Sequence, residues 1–414
     1  MKEIEEVANN CLNCKMKPCS IKGCPMGTAI PEFITEIKNK NYGKAYDILL
    51  DNNILSYICS LICPQEEQCE GSCVRGIKSN PISIGKLENF INEWAKENNY
   101  KYKYEQKEKN GKKIAVIGSG PAGLECAVEL LKNGYEVDIY EKDELPGGIL
   151  QYGIPDFRLP KQLVKGVIDI IKSLGGNFKM NIELGKEISI SDLQKEYNAI
   201  FLATGAIKQS SYSITTENVK GIYASDDFLK SYNKNQFLNN LGTVVIIGGG
   251  NVAMDSARAA KRMGADEVKI LYRRDRAHMP AREIELEEAL KEGVIFKELT
   301  RVENANVKNG KIETLNCVRT EIIDGKAVDK KGDNEFFIEK ANTVVFAIGQ
   351  KTDKSLLESQ NIAVDEWGAI IIDENGKTNL DNVYAGGDNT ESKATVCWAL
   401  AAGKRAAKGI MKNI

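Results

Sequence analysis

Apolar residues recur at helical spacing in the first hundred residues of the chain. Two stretches, Pro31 to Asn39 and Gly85 to Trp94, repeat them every three to four positions, which is typical of amphipathic helices. The run from Asn98 to Lys113 that follows is charged and weakly apolar. Because nothing in it could bury an apolar face, it predicts a linker. The sequence therefore predicts a helical N-terminal domain that is followed by a linker.

Beyond the linker, short apolar strands alternate with helices. A strand from Ile114 to Ile117 leads through a glycine-rich turn into a helix from Ala122 to Asn133, and Glu136 to Tyr140 predicts the next strand. The same order recurs about 130 residues later. The recurring strand, helix and strand are Val244 to Ile247, Val252 to Met263 and Val268 to Tyr272. Two separate βαβ units predict two nucleotide-binding domains.

Composition and charge exclude several classes of protein. The 414 residues can form two or three cores, and the net charge of -2 offers no basic surface for nucleic acid. The acidic start MKEIEEVANN is unlike a secretion signal, and apolar runs are only strand-length, so the chain is expected to be cytoplasmic and without a membrane span. Its only histidine is His278, which excludes histidine-rich zinc sites.

The first glycine-rich turn, GSGPAG, lies between two predicted strands. Its glycines let backbone N–H groups approach a pyrophosphate at a helix start, and Glu141 at the end of the next strand can accept from both ribose hydroxyls. The alternative is a tight turn without a ligand. The predicted contacts are Gly118, Gly120, Pro121, Ala122, Gly123 and Glu141.

The second turn, GGGNVA, is followed by a strand that ends in arginines instead of an acid. Fork-shaped guanidinium groups suit a ribose 2′-phosphate, which an acidic residue would repel. The prediction is NADPH over NADH, and the alternative is a solvated charge cluster. The predicted contacts are Gly248, Gly250, Asn251, Ala253, Arg273 and Arg274.

Three further segments favour a flavoprotein with two dinucleotides. Two apolar strands end in glycine, as expected where the chain passes between domains. An aspartate before a helical run from Ala394 to Met411 can bind a ribityl hydroxyl of FAD, and the start of that helix can stabilise a reduced flavin. The residues predicted to contact cofactor here are Ala203, Thr204, Gly205, Gly349, Gly387, Asp388, Ala394 and Thr395.

Eight of the eleven cysteines lie in the first 73 residues, in two groups. The groups are Cys11, Cys14, Cys19 and Cys24, and Cys59, Cys63, Cys69 and Cys73. Thiolate-only donor sets with short spacings suit zinc or iron–sulfur clusters, and the first group is related to the ferredoxin run that ends in Cys-Pro. Two four-cysteine zinc sites are the main alternative. A flavin in the same chain favours iron–sulfur clusters. The simplest sorting assigns one cluster to each group.

Residues 111–414 resemble FAD/NAD(P)-dependent reductases with two dinucleotide-binding folds. The segments Pro146 to Pro160 and Tyr272 to Ala281 resemble signatures of one branch, which contains the small subunit of NADPH-dependent glutamate synthase and the electron-input half of dihydropyrimidine dehydrogenase. The first of these signatures adds Gly147, Gly148 and Arg158 to the predicted cofactor contacts.

The resemblance implies an α/β fold in which a helical Fe–S domain precedes two interleaved Rossmann-like domains. We expect the Fe–S domain and linker at 1–110, the FAD-binding domain at 111–238 and 350–414, and the NAD(P)H-binding domain at 239–349. The resemblance also implies that each of two clusters takes ligands from both cysteine groups. One [4Fe–4S] cluster would be held by Cys11, Cys14, Cys19 and Cys73, and the other by Cys24, Cys63, Cys69 and Glu88.

The remaining cysteines have no ligand role in this assignment. Cys59 is expected to be a small buried hydrophobic residue, although it is the alternative to Glu88 as eighth ligand. Cys126, Cys317 and Cys397 are scattered, and none forms the Cys-x-x-Cys of a thioredoxin-reductase-like disulfide. Glutamate at position 88 favours the glutamate synthase type, because dihydropyrimidine dehydrogenases usually have glutamine there.

The expected function is electron input. NADPH would reduce FAD, and the electrons would leave through the two clusters to a large FMN-containing subunit that makes glutamate from glutamine and 2-oxoglutarate. No catalytic residue is predicted, because hydride transfer needs no protein acid or base. His278 is expected to be a surface or nucleotide-cleft residue near Arg276 and not a proton donor. The alternatives are a dihydropyrimidine dehydrogenase subunit, a reductase of a ferredoxin or polysulfide acceptor, and a non-catalytic redox sensor. The acceptor, the stoichiometry and the strictness for NADPH stay open.

Overall fold

The computed structural model describes residues 2–206, 208–209, 213–215, 219–390 and 393–414. The chain divides into two compact units. The first consists of Met1–Gln151, Phe157–Ile207 and Lys351–Ile414, and the second of Tyr152–Asp156 and Lys208–Gln350. No helix within the described ranges is long and apolar enough to span a bilayer.

The first hundred residues of the first unit are helical, as predicted. The helices are Lys2–Asn9, Ile30–Lys38, Tyr42–Asn52, Ser56–Ile62 and Ile84–Glu97, with a π-helical turn at Cys19–Gly23 and a 3₁₀ turn at Val74–Ile77. The apolar faces that predicted two of them are buried together: Phe33 and Ile34 pack in one cluster with Leu87 and Ile91. Loops between these helices carry most of the early cysteines.

The polar run after these helices contains no helix or strand between Tyr100 and Asn110, but it is not a free linker. Tyr100 packs edge-on against Tyr46, and its hydroxyl donates to Asp47 at 3.0 Å. Tyr102 and Tyr104 pack against each other and against the helical core. The expectation that nothing here could bury a face was therefore wrong, because tyrosines at every second position supply one.

A five-stranded parallel sheet forms the rest of the first unit. In spatial order its strands are Val383–Ala385, Ala199–Leu202, Lys113–Ile117, Glu136–Glu141 and Asn177–Met180. The helices of this part are Pro121–Lys132, Ile149–Tyr152, Lys161–Ser173, Ile190–Glu196, Lys354–Ser359 and Val396–Asn413. Parallel pairing brings the carboxyl ends of the strands to one edge, so the turn after Ile117 lies beside Glu141.

The second unit contains a second parallel sheet and an antiparallel sheet that share one core. The parallel strands are Ile222–Ala224, Thr343–Phe346, Thr243–Ile247, Glu267–Leu271 and Ile295–Lys297 in spatial order, and the antiparallel strands are Thr300–Lys308, Lys311–Ile323, Lys326–Asp329 and Phe336–Lys340. The helices are Ser225–Asn233, Asn251–Arg262 and Glu283–Lys291, with 3₁₀ turns at Arg276–His278 and Asp333–Glu335. Two-residue strands, Lys208–Gln209 and Gln350–Lys351, lie where the chain passes between the units.

A buried carboxylate on the second strand of the flavin sheet anchors its neighbours. Asp138 accepts from the Tyr197 hydroxyl at 2.5 Å and from Asn177 at 2.9 Å, and it pairs with Lys113 and Lys179 at 3.1 and 3.0 Å. Burial acts to raise the pKa of Asp138, but these hydrogen bonds and ion pairs outweigh it and hold the pKa well below its usual value.

We expect Asp138→Asn to lower the free energy of unfolding by about 2 to 3 kcal/mol at neutral pH, since it leaves two lysines beside a neutral amide. A carboxyl group whose pKa is lower in the native state than in the unfolded state stabilises the native state at pH values above the unfolded-state pKa. The difference between wild type and variant should therefore shrink as the pH falls below about 3.9. Urea unfolding at several pH values measures it, with Asp169→Asn, which breaks an exposed pair with Lys165, as the control. Equal losses in both variants would contradict the prediction.

Candidate functional site

The first glycine-rich turn leads from the central flavin-sheet strand into the helix Pro121–Lys132. Gly118 has φ +102°, and a Cβ on it would lie 2.3 Å from the carbonyl oxygen of Ala203, so only glycine fits. A Cβ on Gly120, which immediately precedes the helix, would meet no protein atom within 4 Å. The helix start thus faces open space of the kind that a pyrophosphate occupies.

The acidic residue predicted for the ribose is held in place by the same turn. Glu141 is 5% exposed, and its Oε2 accepts from both the backbone N–H and the hydroxyl of Ser119, at 3.0 and 2.5 Å. Ser119 Oγ also accepts from the backbone N–H of Gly147 at 2.9 Å. The sequence did not indicate a role for Ser119. It occupies a variable position of the motif, and its role depends on partners from two other segments, Glu141 and Gly147.

Other predicted flavin contacts surround this turn. A Cβ on Gly387 would lie 3.1 Å from Ala122 Cβ, and one on Gly148 would lie 2.9 Å from the Cα of Gly120. Burial raises the pKa of Asp388 to about 6. Thr395 caps the helix Val396–Asn413, its hydroxyl accepting from the backbone N–H of Trp398. Gly148 and Gly387 thus lie against the turn and the first residues of its helix.

Asn389, the residue after Asp388, was not predicted. Its side-chain amide donates to the Leu202 carbonyl at 2.9 Å and to Thr204 Oγ1 at 3.1 Å. Its Oδ1 is buried and has no hydrogen-bond partner among the described residues. A buried acceptor without a donor is costly, so this oxygen fits a site that a ligand completes.

The second glycine-rich turn, in the second unit, has the same construction. A Cβ on Gly249 would lie 2.4 Å from the Tyr272 ring, whereas one on Gly250 would meet nothing within 4 Å. Asn251, the first residue of the helix Asn251–Arg262, accepts through Oδ1 from the backbone N–H of Arg282 at 2.9 Å. The loop after the next strand is thereby tied back over the turn.

Arg273 and Arg274 follow the strand that pairs beside this turn. The backbone carbonyl of Arg273 accepts from the Thr320 hydroxyl at 2.7 Å, and that of Arg274 accepts from the backbone N–H of Leu299 at 3.0 Å. Within the described part of the chain, neither guanidinium forms an ion pair. Both cations are therefore available to an anion at the end of the strand.

The predicted ligands of the first cluster line one apolar concavity. Cys11, Cys14, Cys19 and Cys73 surround it together with isoleucines, including Ile30 and Ile82. Burial is the main cause that raises the pKa of Cys19 to about 11, and the charges of Cys73 and Cys11 add to it. Four thiols in an apolar recess fit an iron–sulfur cluster.

The predicted ligands of the second cluster are also brought together. Burial raises the pKa of Cys69, and the charges of Glu88 and Cys24 raise it further. Burial likewise raises the pKa of Glu88, whose Oε1 accepts from Ser56 Oγ at 2.7 Å. Several acidic donors that raise one another's pKa fit a site for a cationic centre. The assignment of individual ligands stays a prediction.

Two cysteines without a predicted ligand role lie at this second site. The sulfurs of Cys59, Cys63 and Cys397 are all buried and lie within 4.8 Å of one another. Hydrogen bonds to Cys24, Cys59 and Cys63 raise the pKa of Cys397. Sequence reasoning treated Cys397 as scattered, and its only sequence signal was its position directly after the predicted flavin segment.

The structure also describes the remaining residues that the sequence singled out. Cys126 and Cys317 are buried in different units. His278 is exposed and bonds to Asp275 at 2.6 Å, as expected for a surface histidine. Arg158 belongs to the first unit and Gly349 to the second.

Comparison with known proteins identifies both parts of the chain. Residues 112–405 match the family model of pyridine nucleotide-disulphide oxidoreductases, and residues 1–100 match that of dihydropyrimidine dehydrogenase domain II, 4Fe-4S cluster. The small chain of NADPH glutamate synthase from Escherichia coli is 32% identical over 98% of this chain and 90% of its own length. The beta subunit of the NADP(+)-dependent formate dehydrogenase of Moorella thermoacetica is 34% identical over 95% of this chain, which spans only 59% of that relative.

Among solved structures, FprA of Mycobacterium tuberculosis in complex with NADPH is similar in fold. The match covers 73% of this chain and 84% of FprA, with a TM-score of 0.61 and 21% identity. It confirms the predicted α/β fold with Rossmann-like domains.

Proposed function

The chain belongs to the pyridine nucleotide-disulphide oxidoreductase family and carries a 4Fe-4S domain ahead of it, and we propose that it is the electron-input subunit of a larger cytoplasmic enzyme. It is an NADPH-dependent flavin and iron–sulfur oxidoreductase. We further propose that the chain holds two clusters, that the eight predicted residues are their ligands, and that the clusters pass the electrons on to a partner.

One observation carries the proposal: the helix Val396–Asn413 serves both the flavin segment and the thiol sites. Thr395 at its start lies among the predicted flavin contacts and receives a hydrogen bond from Gln68 at 3.4 Å. Cys397, two residues on, lies against Cys63. Farther along, Lys404 donates to the carbonyl of Asn52 at 2.8 Å. A helix shared in this way supports direct electron transfer between flavin and cluster.

The residues of the chain bind and orient the cofactors. When bound, FAD supplies the chemistry that links two-electron and one-electron transfer. Glu141, fixed by Ser119, would hold the adenosine ribose, and the starts of two helices would hold the pyrophosphates. Arg273 and Arg274 would hold the 2′-phosphate of NADPH. No side chain needs to move a proton during hydride transfer.

We propose that the partner is a large FMN-containing subunit and that the complex makes glutamate from glutamine and 2-oxoglutarate. Support comes from the glutamate synthase small chain, of which this chain spans nine-tenths, and from Glu88. The formate dehydrogenase relative favours a second candidate, in which the same NADP-linked module serves another acceptor.

The test of the electron-input function is anaerobic titration of the brown protein with NADPH. We expect the absorbance of the oxidised flavin and the broad iron–sulfur absorbance to bleach together, and NADH to be much less effective. Oxidised flavin that persists in NADPH would contradict the enzyme function. Bleaching by NADH alone would contradict the binding of the NADPH 2′-phosphate by Arg273 and Arg274. Isolating the native complex and assaying glutamate formation then decides between the two candidate acceptors.

A further inference from the structure

Three buried sulfurs form a compact group at the second cluster site. The Sγ atoms of Cys59, Cys63 and Cys397 lie within 4.8 Å of one another, and a hydrogen bond from Cys397 is the main cause that lowers the pKa of Cys24 to about 6. Two of the four, Cys24 and Cys63, belong to the predicted ligand set. Cys59 and Cys397 are extra, because Cys69 and Glu88 complete the coordination without them. The site therefore holds two thiols beyond those that a cubane cluster requires.

The first extra thiol is held by its own domain. Asn53 donates through Nδ2 to Cys59 Sγ at 3.3 Å. The orientation of this amide follows from its other end, because Asn53 Oδ1 accepts from the backbone N–H of Leu55 at 2.9 Å. Cys59 Sγ therefore accepts from Asn53 and lies beside the sulfurs of Cys63 and Cys397.

The second extra thiol comes from the flavin part of the chain. Cys397 is the second residue of the 18-residue helix Val396–Asn413, and its side chain is 2% exposed. The sulfurs of Cys24, Cys59 and Cys63 are the acceptors beside its S–H, and Cys59 already accepts from Asn53. The helix start also presents its positive end to this region. A valine here would fill the space but could not donate.

We propose that Cys397 donates its S–H to the ligand sulfurs of Cys24 and Cys63 and thereby raises the reduction potential of the second cluster. Reduction adds one negative charge, which spreads onto the ligand sulfurs. A hydrogen bond to those sulfurs stabilises the reduced form more than the oxidised form. Cys397 is thus a positioning and tuning residue, not a ligand, and it makes the cluster a better acceptor for the flavin whose segment supplies it. This inference rests on the proposed second cluster.

The test compares Cys397→Ala and Cys397→Ser in the reconstituted holoprotein by anaerobic redox titration followed by EPR. Both variants should keep the iron content and flavin of the wild type. We expect the alanine variant to shift the midpoint potential of the second cluster to a more negative value by a tenfold change in the one-electron equilibrium, which is about 59 mV. The serine variant, which retains a donor, should stay closer to the wild type. Cys317→Ala removes a buried thiol from the other unit and should shift nothing.

Two results would overturn the inference while leaving the proposed function intact. One is an unchanged potential in Cys397→Ala at full iron content. The other is loss of half the iron in that variant, which would make Cys397 a ligand. A wild-type protein with a single cluster would instead overturn the proposed second cluster and this inference together.

Discussion

Replacing Cys69 or Glu88 by alanine is expected to halve the iron content of the protein, from about eight to about four per chain. Each change removes one predicted ligand of the second cluster. The first cluster should remain, because four other cysteines line its site. Electron transfer from NADPH to a protein acceptor should fall by at least about 100-fold, since the carriers act in series. Flavin reduction by NADPH should be unaffected.

The matched control is Cys59→Ala. Cys59 is a buried thiol at the same site, but the predicted ligand set is complete without it. Iron analysis and EPR of the three anaerobically purified variants would measure the effect, with FAD content as the check on folding. If Cys59→Ala loses the cluster and Glu88→Ala keeps it, the ligand assignment is wrong.

The double variant Arg273→Ala, Arg274→Ala is expected to raise the KM for NADPH about 100-fold and leave the KM for NADH unchanged. Both arginines lie after the strand beside the second glycine-rich turn, where the 2′-phosphate of NADPH is expected. Loss of two guanidinium contacts to a phosphate costs about 2.8 kcal/mol at this ratio. Steady-state kinetics with ferricyanide as acceptor measures both constants without the partner.

The control for this experiment is Arg276→Ala. Arg276 lies two residues beyond Arg274 but is engaged in an ion pair with Glu283, so its loss should change neither KM by more than about twofold. An equal rise for NADPH and NADH in the double variant would mean that the arginines support the fold of the loop and not the 2′-phosphate.

The local elements follow closely from the periodicity of the sequence. The strand predicted at Ile114 to Ile117 is Lys113–Ile117, and the helix predicted at Val252 to Met263 is Asn251–Arg262. Apolar spacing determines these elements because burial of one face is decided over a few neighbouring residues. The polar run after residue 98 was misjudged because tyrosine has an apolar ring and a polar hydroxyl, so composition alone concealed how it packs.

The sequence by itself determined the two nucleotide turns, the arginines of the second, and the two groups of early cysteines. Each of these depends on residues that lie close together along the chain, where spacing alone implies the chemistry. Only the tertiary structure decided that Ser119 holds Glu141, that Asn389 keeps a buried acceptor open, and that Cys397 lies against Cys59 and Cys63. Those contacts join segments that are distant in the chain. They arise from how helices and sheet pack, which no local pattern of residues specifies.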